Sequence, residues 1–287
     1  MFLMMGLAII FTSLTIYGIG TRYVLDPDLV SLIVLTVTIV LFVIAFSITR
    51  SLEGLAEASR LKSEFISIVS HQLRSPISNL KWAAEVLRSE RFGEINDKQS
   101  EYIKMLGENN DRMAELVSDL LMVSKIEQGS LILQKTAFSL ADLVKDVISG
   151  FRALAEASNV EIKIRFAENI PEVLADQAKI KVVVENLIDN AIRYIQERGE
   201  VLIEVTGKGE NVLFKIEDNG VGIPREDQKH IFQRFFRSQN ALRHQTQGSG
   251  LGLSIVKPIV EKSGGKIWFT SKENEGSTFY FTLPIKQ

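Results

Sequence analysis

Two long apolar runs near the start, Phe2 to Ile19 and Leu29 to Ile48, constrain the fold of this chain more than any other feature. Each is close to the roughly 20 residues a helix needs to cross the hydrocarbon of a bilayer. Both are read as transmembrane helices, so residues 1–49 are expected to be a membrane region with the lipid bilayer as a partner. A cleaved signal peptide is the competing reading of the first run. That run lacks both a basic start and a small-residue cleavage site. Arg22, Asp26, Pro27 and Asp28 make a polar turn too short for a folded external sensor domain. Arg50, Arg60 and Lys62 follow the second run, which places the long C-terminal part in the cytoplasm. The chain begins almost directly in the first run, so a region upstream of it remains an open alternative.

The 287 residues are long enough for two or three modest domains. A formal charge of −2 argues against direct binding of nucleic acid, which favours a basic excess. The chain has no cysteine, so disulfides, thiol catalysis and zinc–thiolate sites are excluded. Of its 3 histidines, His230 and His244 are isolated and form no metal-ligand pattern.

The third, His71, lies in the helix-period segment Ser70-His71-Gln72-Leu73-Arg74-Ser75-Pro76-Ile77. Ile66, Val69, Leu73, Leu80, Ala84 and Leu87 describe one apolar stripe. His71 sits two positions from both Val69 and Leu73 and so points away from that stripe, into solvent. An exposed imidazole near its pKa is a competent nucleophile when an electrophile is delivered to it. The segment from Arg91 to Asp97 breaks the helix, and a second helix is predicted from Lys98 to Glu127. Tyr102, Leu106, Asn109, Met113, Leu116, Leu120 and Val123 form a heptad seam there, with Asn109 as its polar interruption. One hairpin cannot bury a two-sided stripe. Residues 50–128 are therefore expected to pair with a second copy as a dimeric four-helix bundle.

Gly129 closes the second helix, and strand-like runs follow at Glu161–Phe166, Val201–Thr206, Val212–Glu217, Lys266–Thr270 and Thr278–Leu283. Helical stretches lie between them at Leu140–Ser158, Gln177–Gln196 and Gly252–Lys262. Residues 129–287 thus read as an α+β sandwich. On the middle helix Asn186 and Asn190 share a face, with Arg193 near it. Amide oxygens suit Mg²⁺ and an arginine suits phosphate, although an amphipathic helix with polar residues outward explains the same pattern. Asp218-Asn219-Gly220-Val221-Gly222 follows a strand. It is either a hairpin turn or a carboxylate that accepts an exocyclic amine beside glycines that admit a planar base. Gly248-Ser249-Gly250-Leu251-Gly252 opens a helix and exposes backbone N–H groups to anions. Between the glycine segments, Phe232, Phe235 and Phe236 with Arg234, Arg237 and Arg243 suggest a closing lid, or simply core aromatics.

In this order the motifs resemble those of the sensor histidine kinases of bacterial two-component systems, over about Arg50 to Gln287. SHQLRSPI resembles the phosphoacceptor box, ENLIDNAIRY the asparagine box and EDNGVGIP the first glycine box. IFQRFFR and GSGLGLS resemble the phenylalanine and second glycine boxes. The resemblance implies an ATP-binding fold shared with gyrase, Hsp90 and MutL. It implies catalytic roles for His71, Gln72, Arg74 and Ser75. ATP would contact Asn186, Asn190, Arg193, Tyr194, Asp218, Gly220, Gly222 and Ile223. Phe232, Arg237, Gly248, Gly250, Leu251 and Gly252 would complete its site, and Asn186 and Asn190 would hold Mg²⁺. A homodimer in the bacterial cytoplasmic membrane, phosphorylated on His71 and donating to a response-regulator aspartate, is what the resemblance implies.

Two positions depart from the common pattern. The family usually places an acid after the histidine, and Gln72 cannot act as a base. A weakened kinase acting as a phosphatase or scaffold is the alternative that this substitution raises. Ser75 replaces the usual threonine or asparagine, and Pro258 inside the last helix has no counterpart in the functional reading.

Overall fold

The computed structural model describes all residues except 1, 24–25, 90–92, 94, 239–248 and 287, and divides into two compact units, 1–65 and 66–287.

In the first unit, helix α1 (Phe2–Tyr23) is followed by the first part of helix α2 (Pro27–Arg88). Gly20 sits against buried Val30, where a Cβ would come within 2.7 Å of a valine methyl. Thr12, Thr36 and Thr38 donate their hydroxyls to carbonyls one turn back, and the Ser13 and Thr38 hydroxyls bond each other at 2.7 Å. Polar groups are thereby satisfied within the helices, while Leu14, Ile33, Phe42 and Val43 stay exposed. Among the described residues one helix, α2, contains a stretch long and apolar enough to cross a membrane. Helix α2 runs through Arg50 without a break. The change from apolar to charged residues there alters composition without breaking the helix.

In the second unit α2 continues through His71 to Arg88, with Pro76 inside it. Helix α3 (Asp97–Glu127) begins with a capping box in which Asn96 and Gln99 exchange bonds of 2.9 Å. Lys81 and Asp111 bridge the two helices at 2.9 Å. Within the chain α3 buries Ile103 and Asn110, with Gly107 and Val117 half-buried, and α2 buries Ser70 and Ile77. The predicted seam adjoins this stripe, one residue away, and does not meet α2 within the chain. Tyr102 and Leu106 remain 66% and 61% exposed, and Met113 and Leu116 are exposed as well. Asn109 is exposed and bonds the Met105 carbonyl, so the buried asparagine is Asn110, whose amide has no partner. Val123, also assigned to that seam, instead packs into the core of the domain that follows.

That domain contains β1 (Thr136–Phe138), α4 (Leu140–Ala157), β2 (Val160–Phe166), β3 (Val173–Ala175) and α5 (Gln177–Arg193). It ends with β4 (Gly199–Lys208), β5 (Asn211–Asp218), α6 (Gly252–Lys262), β6 (Ile267–Lys272) and β7 (Gly276–Pro284). The five-stranded sheet runs β2-β4-β5-β7-β6, with β2 and β4 parallel and the other pairs antiparallel. Strict alternation puts Val201, Ile203 and Val205 of β4 and Val212, Phe214 and Ile216 of β5 on the buried face. Phe214 stacks on Phe281 at 4.7 Å beneath Leu187, Ile188 and Ile255 of the helices. The outer face carries a charged row, in which Lys215 meets Glu204 at 2.7 Å and Glu217 at 2.8 Å. Trp268 stacks on Tyr280 there, 5.3 Å apart.

Candidate active site

The end of β5 and one face of α5 enclose an apolar cavity of about 80 Å³ lined by Leu187, Ala191, Val221, Ile223, Ile231 and Phe279. Asp218 and Tyr194 supply its polar groups. Asp218 Oδ1 accepts the N–H of Gly220 at 2.9 Å and that of Ser277 at 3.2 Å. Burial pushes this carboxyl up to about 6, against the pull of those two bonds. The glycines serve the loop before any ligand. A Cβ on Gly220 would come within 2.4 Å of the Tyr194 carbonyl. Gly222, at φ +64°, would place a Cβ 2.0 Å from the Lys272 carbonyl. The loop therefore lies directly on the end of α5 and on the β6–β7 turn.

A second cavity of about 830 Å³ adjoins the first and shares Asn190, Tyr194, Arg237 and Leu253 with it. Asn186 lines it from α5 and turns its Nδ2 to the Val182 carbonyl at 2.9 Å. Its Oδ1 lies against the head of α6, since a Cβ on Gly252 would be 2.2 Å from that oxygen. Arg193 is held by both carboxylate oxygens of Asp189 at 2.6 Å. Burial raises the Tyr194 phenol, against the hydrogen bond and positive charge of Arg237. Among the described residues the head of α6 has no side-chain cap, and Gly250 reaches it with φ +68°. Uncapped N–H groups with the positive end of a helix dipole form an anion-attracting position.

Helix α3 closes the second cavity from the other side with Arg112, Glu115, Leu116, Asp119 and Met122. Burial raises Glu115. Burial and then the neighbouring charge of Glu115 push Asp119 up to about 6, against a hydrogen bond from Ser249. Sequence reasoning had no sign of these carboxylates at the site. Acids spaced four apart on a helix look the same when they merely face water.

The structure gathers Asn186, Asn190, Arg193, Tyr194, Asp218, Gly222, Ile223, Arg237, Gly250 and Gly252 around the joined cavities. Gly220 backs Asp218, and Leu251 is buried at the head of α6. Phe232 is not among them. It packs edge-on against Phe269 at 6.0 Å, under the Lys257 ammonium at 5.4 Å, and lines a separate cavity with Pro258. Gly248 and Arg243 lie outside the described residues. His71, Gln72, Arg74 and Ser75 are exposed on α2 and line neither cavity.

Residues 61–129 match the His Kinase A (phospho-acceptor) domain, and residues 175–287 match the histidine kinase-, DNA gyrase B- and HSP90-like ATPase. The chain belongs to the sensor histidine kinases. Among curated sensor histidine kinases, WalK of Bacillus subtilis is 33% identical over 232 residues, covering 79% of this chain and 37% of that protein. The circadian input-output histidine kinase CikA of Synechococcus elongatus is 31% identical over 229 residues, 79% of this chain and 30% of its own length. This sensor kinase chain thus spans about a third of the length of these curated relatives. Full-length ShkA, solved in complex with AMPPNP, superposes with a TM-score of 0.65 at 25% identity over 78% of this chain and 46% of its own. Histidine kinase ThkA, solved in complex with the response regulator protein TrrA, gives 0.53 at 27% identity over 78% and 61%.

Proposed function

We propose that this sensor kinase is a homodimeric membrane protein that phosphorylates His71 from ATP and passes the phosphoryl group to an aspartate of a response regulator. One observation carries the reading. A buried carboxylate fixed by two backbone N–H groups lines an apolar cavity that opens into a larger one beneath Asn186, Asn190 and the uncapped head of α6. The first cavity fits adenine: both backbone bonds use Asp218 Oδ1, which leaves Oδ2 for an exocyclic amine. The second fits a triphosphate. Residues 1–49 would form the membrane region with α1 and the first part of α2 as its spans. Residues 50–128 would be the dimerisation and phosphoacceptor domain, and residues 129–287 the cytoplasmic catalytic domain.

The donor set also fits Mg²⁺. The Nδ2 of Asn186 is engaged with Val182, so Oδ1 is the atom presented to a cation, with Asn190 one turn on. Mg²⁺ there would neutralise charge on the phosphates. The N–H groups at the head of α6 would receive phosphate oxygens, and Arg193 would reach them by leaving Asp189. Asn186 is neutral and takes no proton from water, so the site protects ATP from hydrolysis. In transfer, His71 Nε2 forms a bond to the γ-phosphorus while the bond to the departing ADP breaks. Because His71 lies on neither cavity, transfer requires a rearrangement that brings the ATP site to α2.

The full chain in detergent, given γ-labelled ATP and Mg²⁺, tests this. Acid-labile, alkali-stable label is expected on the native chain and none on His71→Gln. Label persisting on the variant would remove His71 from the role. ATP binding without label would favour the second reading, a weakened kinase acting as a phosphatase or scaffold, which the neutral Gln72 beside His71 supports.

A further inference from the structure

The loop after Asp218 is tied to the turn between β6 and β7. The Asn274 N–H donates to the Val221 carbonyl at 2.8 Å, and the Ser277 N–H to Asp218 Oδ1 at 3.2 Å. The Ser271 hydroxyl joins the same two segments. It gives its one proton to the Gly276 carbonyl at 2.9 Å. Its two lone pairs take the Ile223 N–H at 2.8 Å and the Ser277 hydroxyl at 2.9 Å. All the bonding capacity of this oxygen is used, so its place is fixed by both segments at once. Gln228 joins them from a third. Its Nε2 carries two N–H groups and meets two carbonyls, those of Ile223 and Ser271, each at 3.0 Å. Ile223 is itself bonded to Ser271, so the three residues close a ring. Ile223 and Ser277 line the smaller cavity, whereas Gln228 and Ser271 stand behind its wall. The backbone N–H of Gln228 bonds the Pro224 carbonyl at 3.2 Å, at the start of the segment that brings Ile231 and Phe236 to the same cavity.

Resting on the nucleotide reading above, we infer that Gln228 is a positioning residue for base recognition, which holds Asp218 in register with the exocyclic amine without touching the base. Asp218 is aimed by two N–H groups, and one of them belongs to Ser277, whose hydroxyl is bonded to the ring. Without the Gln228 donors the Ile223 and Ser271 carbonyls lose their side-chain partner, and the loop and the turn are free to part. The Ser277 N–H then no longer fixes the carboxylate. That loss is felt by a base with an amine and not by one without it, because the apolar walls serve both alike.

ATP and inosine triphosphate, which carries an oxo group in place of the amine, separate positioning from packing. Calorimetric titration of the full chain in detergent with each nucleotide would compare the native protein with Gln228→Met and Ser271→Ala. Methionine keeps the length of glutamine and removes both donors. The native chain is expected to prefer ATP. Gln228→Met is expected to lose roughly three- to tenfold in ATP affinity, the scale of one or two neutral hydrogen bonds, while inosine triphosphate binds as before, so that the preference narrows. Ser271→Ala opens the ring from its other side and should narrow the preference in the same way, which keeps the inference open to test should Gln228→Met not fold. A preference equal to that of the native chain would overturn the inference, whether neither affinity moves or both fall together, since a joint fall reports general loosening. A native chain that binds neither nucleotide would overturn the nucleotide reading itself. One that binds both equally would remove the Asp218 contact from that reading, and the inference with it.

Discussion

Asp218 shows how burial and chemistry pull on one residue. Its ordinary value is 3.8, and burial places it at about 6 in the folded chain. The folded state therefore binds this proton more tightly than the unfolded state. The resulting stabilisation is complete below 3.8 and is lost as pH rises through about 6. Ligand binding runs the other way, because the ionised carboxylate is the stronger acceptor for an amine. ATP affinity of the native chain is expected to fall as pH drops through about 6. At pH 7.5, Asp218→Asn should weaken ATP binding by about 10- to 100-fold, the scale of one charge-assisted hydrogen bond. It should also flatten the pH dependence. Calorimetry across that range, with thermal melts of both proteins, checks the opposite slopes. The same residue was legible in the sequence as a carboxylate before glycines. Its raised pKa was not, because it depends on Ser277 and on apolar walls that arrive from distant parts of the chain.

At the scale of elements, alternation of apolar and polar residues was enough to locate β2, β4, β5, β6 and β7 to within two residues of their ends. The paired strands β1 and β3 are three residues each, too short to display a period, and only tertiary pairing reveals them. In α3 the apolar heptad led to the stripe of Tyr102, Leu106 and Met113, whereas the hairpin buries the adjoining stripe of Ile103 and Asn110. The two stripes do different work. The less apolar one joins α3 to α2, and the more apolar one stays exposed as the face proposed for a second copy. Leu106→Glu places a charge on that exposed stripe while sparing Ile103. Light scattering of the detergent-solubilised chain should therefore show the dimer converted largely to monomer, with helical content retained. A variant that remains dimeric would put the interface elsewhere. Contacts such as that between Glu127 and Arg234 join positions too far apart in the chain for any local pattern to announce them.

Across the whole molecule, two kinds of surface coexist. The first unit leaves large aliphatic and aromatic side chains outward and bonds its threonine hydroxyls to helix carbonyls, the pattern expected of a region proposed to span a bilayer, and the catalytic domain buries its own. The expressed chain should sediment with membranes, resist extraction by high salt or alkaline carbonate, and be released by detergent. Recovery in a salt wash would mean attachment through charge instead of spanning helices. The stacked pair on the outer sheet face has a practical consequence. The chain contains two tryptophans, one in each part of the kinase. Trp82 on α2 is 68% exposed, while Trp268 is 37% exposed and covered on one side by Tyr280. Their emission spectra should differ in wavelength, so the molecule carries two native optical probes. One reports on the phosphoacceptor hairpin and the other on the ATP-binding fold, and each can be silenced by a single tryptophan-to-phenylalanine change.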